Sequence, residues 1–254
     1  MNLMVLGGKG ESTNAVIHAL NSTYPDMSVI LEEDVPFKTF IKKRIKKLGF
    51  WVVVGQMIFV FLVPRHLRRR SRDRVAEIKY KYGLNTADTF SDTVRRYDVK
   101  SINEDAVIEI IKKENPEIII VNGTRIISAK ILDSVDIPFV NMHVGITPKY
   151  RGVHGGYWAV ANGDVENCGV TIHLVNTGID TGDIIAQKRV EVTEKDNYVT
   201  YPYIQVGEGI KLEQSFLKEY ETTRQIKTIK SELPSMIWSH PTIIQYLKNR
   251  KRSR

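Results

Sequence analysis

The chain has 254 residues, of which 42% are hydrophobic and 26% charged; this composition is typical of a folded globular protein and excludes a disordered or fibrous one. The single cysteine, Cys168, excludes an intramolecular disulfide and a cysteine-based zinc site, and it indicates a reducing compartment. The net charge of +8 is local, because residues 38–47 and 65–74 together carry +11 and leave −3 for the remainder, so it does not mark the whole body as a nucleic-acid binder.

The first predicted element is a buried strand over Leu3–Leu6, which leads through a glycine-rich turn into a helix from Ala15 onwards. The start of the chain lacks basic residues and its apolar run is short, so we expect a strand and not a signal peptide. The glycines would let backbone N–H groups approach an anion at the start of the helix. A phosphate site and a plain strand-to-helix turn both fit, since the pattern is neither a Walker loop nor a complete dinucleotide fingerprint.

Residues 37–74 form an unusual segment. Apolar residues recur at helical spacing among lysines, then Gly49 to Val63 is almost wholly apolar, and an arginine cluster follows Pro64, where we expect the run to end. The run is shorter than the roughly 20 residues that span a bilayer, so a spanning helix is disfavoured. Two interpretations fit this segment. It could form an amphipathic helix packed on the body or at a subunit interface, or it could contact a membrane surface. No aromatic-interleaved motif supports nucleic acid.

The next elements alternate between strands and helices. This order predicts an α/β fold with an open, mostly parallel twisted sheet flanked by helices. Ligands of such sheets bind at the carboxyl ends of the strands, where Asn122–Arg125 and Asn141–His143 fall. The predicted elements are strands at 28–31, 97–103, 116–121 and 138–143, and helices at 75–82, 103–114, with Asn103 as the cap, and 126–132.

The pattern changes after residue 169. Val170–Val175 and Asp183–Val192 predict a hairpin across a glycine-rich loop, and a helix is predicted over Tyr201–Tyr220. We expect residues 1–192 to form a catalytic domain, with the segment at about 37–74 as a helical insertion, and residues 193–254 to form a helical extension packed on it.

Three polar residues stand out at predicted strand ends or in glycine loops: Asn141, His143 and Asp180. Separately, each fits a structural role as a cap, a core histidine or a turn residue. Together they supply what acyl transfer to an amine requires. The amide and imidazole would stabilise an oxyanion, and the carboxylate would orient or charge the imidazole or relay a proton. No Ser or Cys nucleophile is needed, so we expect direct attack by the substrate amine.

The motif around these residues resembles a known family. The sequence is similar to the 10-formyltetrahydrofolate-dependent formyltransferases in four short motifs. These are Asn141-x-His143, Pro148–Gly152, Trp158-Ala159 with Asn162-Gly163, and Gly178–Asp183. That family includes the glycinamide ribonucleotide, methionyl-tRNA and sugar-nucleotide enzymes. The resemblance covers about residues 116–192. It implies the Rossmann-like formyltransferase fold, 10-formyltetrahydrofolate as co-substrate, no metal, and catalytic roles for Asn141, His143 and Asp180.

The resemblance also implies binding residues. Those expected at the folate are Asn122, Gly123, Thr124, Arg125, Ile126, Val175, Thr177, Gly178 and Ile179. Those expected at the acceptor are Gly8, Lys9, Gly10, Ser12, Lys149, Tyr150, Arg151 and Tyr157.

Two departures from the family pattern lie beside the expected acceptor site. Gly145 stands where a serine is usual, and Gly155-Gly156-Tyr157 replaces a segment that usually contains proline. The chain after residue 192 is short for the C-terminal barrel of methionyl-tRNA formyltransferases, and the segment at 37–74 is not a feature of the short purine-pathway enzyme.

We therefore expect a cytoplasmic enzyme, with membrane association left open, whose acceptor is the amine of a nucleotide-linked amino sugar used for surface polysaccharide. Glycinamide ribonucleotide, an aminoacyl or peptidyl amine, and a non-catalytic membrane-associated scaffold are the alternatives. The expected partners are this small-molecule amine and no specific nucleic acid; peripheral membrane contact through 38–74 and a homodimer stay open.

Overall fold

The computed structural model describes residues 1–252, with side chains described through residue 250. Within this range the strands are β1 (Leu3–Gly8), β2 (Ser28–Glu32), β3 (Arg95–Val99), β4 (Ile118–Asn122), β5 (Phe139–His143), β6 (Arg151–Gly152), β7 (Gly169–Leu174), β8 (Ile184–Arg189) and β9 (Ile237–Trp238). The helices are α1 (Glu11–Asn21), α2 (Phe37–Leu48), α3 (Phe50–Arg70), α4 (Arg72–Tyr82), α5 (Asp105–Glu114), α6 (Ala129–Leu132), α7 (Gly155–Ala161), α8 (Tyr201–Thr223) and α9 (Ile243–Arg252).

The main sheet has seven strands in the order β3-β2-β1-β4-β5-β7-β8 among the described residues. The first five are parallel, and β7 and β8 join antiparallel as the predicted hairpin. The open, mostly parallel α/β fold is thus confirmed. Strands β1, β2 and β4 are apolar and almost entirely buried, as expected for strands covered on both faces. The parallel arrangement brings Gly8, Asn122 and His143 to one edge of the sheet.

Several sequence-based boundaries need correction. The strand predicted over residues 97–103 lies at Arg95–Val99, and residues 100–103 form a turn before α5. The helix predicted over Ile126–Leu132 begins only at Ala129. The preceding residues form a loop, because Asn103 accepts a hydrogen bond from the Ser128 amide at 2.7 Å and donates one to the Ile126 carbonyl at 3.0 Å. Asn103 is therefore occupied by that loop, and α5 begins at Asp105 after Glu104 instead of being capped by Asn103.

The insertion folds as a helical hairpin of α2 and α3. The apolar segment does not end at Pro64, since α3 continues to Arg70 with Pro64 buried inside it. Packing of Phe59, Leu67 and neighbouring side chains onto the body holds this helix. By length and composition α3 could cross a membrane, although one of its faces is buried against the rest of the protein.

The part of the chain after β8 packs back onto the sheet and the insertion. Helix α8 lies across β7, and its Leu217 is fully buried in the main core. Helix α9 packs against α3 and α7, while β9 pairs in parallel with β6. Residues 253–254 of the predicted extension lie outside the described residues.

Candidate active site

The three predicted catalytic side chains meet at the carboxyl edge of the sheet. Asn141 and His143 lie two residues apart on β5, so both point to the same face of the strand. The Nδ1 atom of His143 lies 3.4 Å from Oδ2 of Asp180, which comes from the glycine loop between β7 and β8. His143 is buried and Asn141 is partly open to solvent. The structure therefore brings together an exposed amide and a shielded imidazole–carboxylate pair.

Both ring nitrogens of His143 face protein groups. Its Nε2 lies 2.7 Å from the carbonyl oxygen of Tyr150. A carbonyl oxygen only accepts, so Nε2 carries a proton that it donates to Tyr150. The contacts with Tyr150 and Asp180 fix the orientation of the imidazole on both sides.

Asp180 is held in place from three directions. The Gly152 amide donates a hydrogen bond to Oδ2 at 2.8 Å, and the carboxylate also lies beside His143 and His173. Burial alone would raise the pKa of Asp180, but the electrostatic interaction with His143, the neighbouring His173 and the hydrogen bond from the Gly152 amide outweigh it and lower the pKa to about 2. Asp180 is therefore an anion throughout the physiological pH range. Its φ of 50° lies in the left-handed region, which Asp and Asn tolerate better than other non-glycine residues.

His173 is a fourth polar member of the site, to which the sequence analysis assigned no role. The antiparallel register of β5 and β7 places it opposite Asn141, and its Nε2 lies 3.0 Å from Asn141 Nδ2 and 3.7 Å from Asp180 Oδ1. Its Nδ1 lies 2.7 Å from the Leu174 carbonyl, so the proton sits on Nδ1 and Nε2 accepts from the amide. The sequence predicted the strand that carries His173, but it does not reveal the register of that strand against β5, which places His173 opposite Asn141.

The loop that donates to Asp180 is clamped by the C-terminal part of the chain. Gly152 pairs with Trp238 across the β6–β9 ladder, and the Trp238 indole N–H donates to the Lys149 carbonyl at 2.9 Å. On the other side of the same loop, Arg151 donates to the Ile179 carbonyl at 3.1 Å, next to Asp180. Residues far apart in the sequence thus fix the position of the Asp180 carboxylate.

The residues predicted to bind the folate fall in two loops that follow β4 and β7. Asn122 is buried and accepts hydrogen bonds from Ser12 and Thr13 at 3.1 Å each, so its side chain ties β4 to α1. The Arg125 guanidinium pairs with Glu32 at 2.6 Å. Ile126 is 56% exposed, an unusual position for a large apolar side chain in a polar loop.

The remaining residues of this predicted set are Gly123, Thr124, Val175, Thr177, Gly178 and Ile179. Gly123 adopts a positive φ, and Val175 packs on the core cluster that also contains Ile127. Thr177 and Gly178 are exposed, whereas Thr124 and Ile179 are half-buried. The assignment of all nine residues to the folate stays a prediction.

The residues predicted to bind the acceptor are divided between surface and core. Lys149 pairs with Asp164 at 2.6 Å. Tyr150 is only 1% exposed and donates from its hydroxyl to the same carboxylate, so it reaches the site through its backbone carbonyl and not its ring. Tyr157 is likewise buried, in the core cluster beneath α3. These side chains support the site loop from behind.

The predicted acceptor residues of the first turn lie near the start of α1. Lys9 pairs with Asp98 at 3.3 Å, and Ser12 donates to Asn122. Gly8 is in contact with the backbone of Gly123, where a side chain would overlap the carbonyl oxygen, whereas the position of Gly10 is open.

A cavity of about 210 Å³ opens beside this turn. It is bounded by the first residues of α1, by Pro64 and Arg68 of α3, and by His154 and Tyr198. The Tyr198 hydroxyl lies 2.5 Å from His154 Nε2 and 3.3 Å from His240 Nδ1. Burial and the proximity of His240 lower the pKa of His154 to about 3, so its imidazole is neutral at physiological pH. The insertion thus supplies one cationic wall of a pocket at the same sheet edge.

The two departures from the family pattern meet in space. A side chain on Gly155 would approach the Cα atom of Gly145 to 2.6 Å and the Val144 carbonyl to 2.8 Å. A side chain on Gly145 would lie 2.6 Å from Nε2 of His143. The two glycines therefore allow the loop before α7 to lie directly against His143.

Cys168 is buried in the core, and this burial raises the pKa of its thiol to about 12. A thiol with this pKa is not a nucleophile at neutral pH. The sequence-based expectation that no cysteine takes part in the chemistry therefore agrees with its environment.

Comparison with known proteins gives a family and a fold. A sequence profile of the formyl transferase family matches residues 37–203, about two thirds of the chain. The chain is 35% identical over 155 residues to the methionyl-tRNA formyltransferase of Agathobacter rectalis, covering 56% of this chain and 50% of that protein. It is 38% identical over 94 residues to that of Finegoldia magna, covering 37% and 30%. The alignments span half or less of these relatives.

Two solved structures illustrate the similarity in fold. A sugar N-formyltransferase from a Shewanella species matches with a TM-score of 0.56 and 16% identity, over 93% of this chain and 76% of that one. The phosphoribosylglycinamide formyltransferase of Streptococcus pneumoniae matches with a TM-score of 0.55 and 19% identity, over 87% and 99%.

Proposed function

The chain belongs to the formyl transferase family, and from this premise we propose that it is an N-formyltransferase that uses 10-formyltetrahydrofolate and formylates the amine of a nucleotide-linked amino sugar. The observation that carries the proposal is the meeting of Asn141, His143 and Asp180 at the carboxyl edge of the sheet. An amide donor, an oriented imidazole and a permanently charged carboxylate suit acyl transfer without a covalent enzyme intermediate.

The loops after β4 and β7 fit a folate. A pterin requires apolar cover together with backbone hydrogen-bonding groups, and the exposed Ile126 and the irregular backbones of both loops provide these. The residues that would hold it are those of the predicted set, from Asn122 to Ile126 and from Val175 to Ile179. When bound, 10-formyltetrahydrofolate supplies a formyl carbon that forms a bond to the acceptor nitrogen as its bond to N10 breaks, with the amine proton passing overall to N10.

Asn141 is the residue best placed to stabilise negative charge on the formyl oxygen. Its amide nitrogen has two N–H bonds, and one of them is directed at His173. The other is free to donate toward the partly open side of the site. His143 lies two residues away on the same face of β5, and its contacts with Tyr150 and Asp180 would hold it in a fixed orientation beside the reacting groups.

The low pKa of Asp180 bears on its role. A carboxylate with a pKa of about 2 binds a proton at pH 7 in only about one molecule in 10⁵. It is therefore a poor final acceptor for the proton of the attacking amine. This supports a role in orienting His143, one of the options that the sequence left open.

The cavity beside α1 supports the choice of acceptor. Its size of about 210 Å³ suits a sugar more than a macromolecule. Arg68 and the positive end of α1 suit the phosphate groups of a nucleotide. The similarity to a sugar N-formyltransferase structure is consistent with this acceptor, although at this identity it shows the fold alone.

Formyl transfer to methionyl-tRNA is a second candidate. It is favoured by the sequence similarity to methionyl-tRNA formyltransferases, which reaches 35% identity over 155 residues. The same catalytic residues would serve it, so only the acceptor separates the two candidates.

The test supplies 10-formyltetrahydrofolate with a panel of acceptors and follows the release of tetrahydrofolate. The panel contains amino-sugar nucleotides with different bases and amine positions, glycinamide ribonucleotide, and methionyl-tRNA. We expect turnover with at least one amino-sugar nucleotide and loss of that turnover in the Asn141→Ala variant. Turnover with methionyl-tRNA or glycinamide ribonucleotide, and with no amino-sugar nucleotide, would replace the proposed acceptor while preserving the chemistry.

A further inference from the structure

Helices α2 and α3 present the most apolar exposed surface of the described residues. Trp51 is 81% exposed, Leu62 62% and Phe61 60%, and Phe50 and Phe37 are also more than half exposed. Between the two helices lies an open groove of about 410 Å³ with a wholly apolar lining that includes Ile41, Ile45 and Met57. Large contiguous apolar patches of this kind mark interaction sites. We call this surface the α2–α3 face.

The charges around this face are of one sign. Residues 35–72 contain eleven Lys and Arg and no Asp or Glu. Six of the basic residues lie on α2 and four at the end of α3, so they flank the apolar surface on both sides. An apolar strip bordered by basic residues is the pattern by which proteins bind the surface of anionic membranes.

We propose that the α2–α3 face docks on an anionic lipid bilayer, with the exposed edge of α3 inserted among the lipid chains and the basic residues on the head groups. This proposal concerns a surface outside the catalytic centre and does not depend on which acceptor is formylated. One consequence links the two: Arg68 and Pro64 of α3 also line the cavity beside α1, so docking places that cavity next to the membrane surface.

A second copy of the chain fits this face poorly. A two-fold interface places the same patch of both subunits against each other. Here it would bring two sets of eleven positive charges together with no acidic residue between 35 and 72 to compensate them. An anionic bilayer supplies both the apolar environment and the opposite charge.

The contacts of α3 favour docking over crossing the bilayer. Gln56 is buried and accepts a hydrogen bond from Arg44 at 2.7 Å, while its amide donates to the His240 carbonyl at 2.6 Å. Phe59 is fully buried and packs edge-on against Tyr198, with ring centroids 4.9 Å apart. A helix that crossed the bilayer would lose these contacts, whereas a docked helix keeps them and uses only its exposed face.

The test uses the full chain and sucrose-loaded vesicles of phosphatidylcholine, with or without about one third phosphatidylglycerol. We expect co-sedimentation with the anionic vesicles at least ~10-fold stronger than with neutral ones, and a comparable loss in ~0.5 M salt, because exposed charges are screened. Trp51 provides an independent signal, since Trp158 is buried and Trp238 is partly buried. Its fluorescence should shift to shorter wavelength on binding and be quenched by lipids brominated near the head groups.

Paired variants separate the two parts of the surface. Trp51→Glu with Phe61→Glu, and separately Lys42→Glu with Lys46→Glu, should each weaken vesicle binding at least ~10-fold. Lys112→Glu with Lys218→Glu makes the same charge change on exposed positions of α5 and α8 and should leave binding unchanged. All changed side chains are exposed, so unaltered circular dichroism and thermal melting are expected to confirm folding.

Several results would overturn the proposal. Absence of binding to anionic vesicles, or equal binding of all the variants, would refute it. A stable dimer that does not bind vesicles, and that the Trp51→Glu and Phe61→Glu changes dissociate, would also refute it. Binding of transfer RNA in place of lipid would refute it as well. Association that survives alkaline carbonate and high salt would show that α3 crosses the bilayer instead of docking on it.

Discussion

Asn141 has one N–H directed at His173 and one available to a ligand. We expect Asn141→Ala to lower kcat by about 10²–10³, the usual effect of removing one donor to a developing oxyanion. His173→Ala removes the group that orients the amide and one neighbour of Asp180, so kcat should fall by about 10-fold while the KM for the folate stays constant. Steady-state kinetics with the acceptor found in the panel would measure both. Equal losses for the two variants would show that His173 acts directly and not through Asn141.

A substitution at Gly145 tests whether this loop requires a glycine at the position where the family usually has a serine. Gly145→Ser introduces a side chain 2.6 Å from Nε2 of His143, next to Gly155. Relief requires the loop or the imidazole to move, so we expect a loss of about 1–3 kcal/mol in the free energy of unfolding together with a strongly reduced kcat. Denaturant unfolding and kinetics would measure these.

Gly10→Ser is the matched control for that substitution, because no atom lies within 4 Å of a side chain at Gly10. It should leave the free energy of unfolding nearly unchanged. If Gly145→Ser were as stable and as active as the wild type, the close packing of Gly145 on His143 would not be a constraint on the site.

Helix α8 contains a buried carboxyl group that has no hydrogen-bond partner within the part of the chain that the structure describes. Glu213 is fully buried, and burial raises its pKa from 4.5 to about 8. The folded state therefore binds this proton more tightly than the unfolded state. Its contribution to stability is complete below pH 4.5 and is lost as the pH rises toward 8.

We therefore expect ionisation of Glu213 to lower the free energy of unfolding of the wild type between pH 5 and pH 8, by on the order of 4 kcal/mol relative to Glu213→Gln, which cannot ionise. The lowered pKa of His154 acts in the opposite sense below its unfolded value, but equally in both proteins, so the difference between the two profiles isolates Glu213. Glu219→Gln, at an exposed position on the same helix, should retain the wild-type profile. Urea unfolding at several pH values measures all three; a Glu213→Gln profile that runs parallel to that of the wild type would assign the loss to another group.

The elements that the sequence predicted are those with a local signal. Ile118–Val121 and Leu3–Leu6 are short, continuous apolar runs, which specify buried parallel strands. Asn141 and His143 were found because they follow such a run. The continuation of α3 through Pro64 was missed, since the local rule for proline gives way there to packing against the body. Asn103 was assigned to the wrong partner for a similar reason, because its hydrogen bonds go to a loop 23 to 25 residues away.

At the scale of the whole molecule, the site depends on contacts that no local pattern contains. His173 reaches Asn141 through the register of two antiparallel strands. The Gly152 amide reaches Asp180 in a loop that β9 secures from the other end of the chain. These parts of the site could not be predicted, because they depend on how distant segments are placed and not on the residue types.

Trp238 offers a test of this long-range clamp. It stacks on Trp158 with ring centroids 4.6 Å apart, and its backbone pairs with Gly152 beside the donor to Asp180. We expect Trp238→Ala to loosen the loop and lower kcat by about 10- to 100-fold, because catalytic groups lose rate when their supporting residues no longer fix them. Trp238→Phe, which retains a stacked ring but loses the hydrogen bond to the Lys149 carbonyl, should recover most of that rate.

The control for Trp238 must separate loss of position from loss of stability. Leu217→Ala creates a cavity in the main core, on a helix away from this loop, and should cost about 2–5 kcal/mol with little change in kcat at temperatures where the protein stays folded. If Leu217→Ala lowered kcat as much as Trp238→Ala at equal destabilisation, the C-terminal segment would stabilise the fold without positioning Asp180. A loss of kcat confined to Trp238→Ala would instead show that the last part of the described chain completes the active site from outside it.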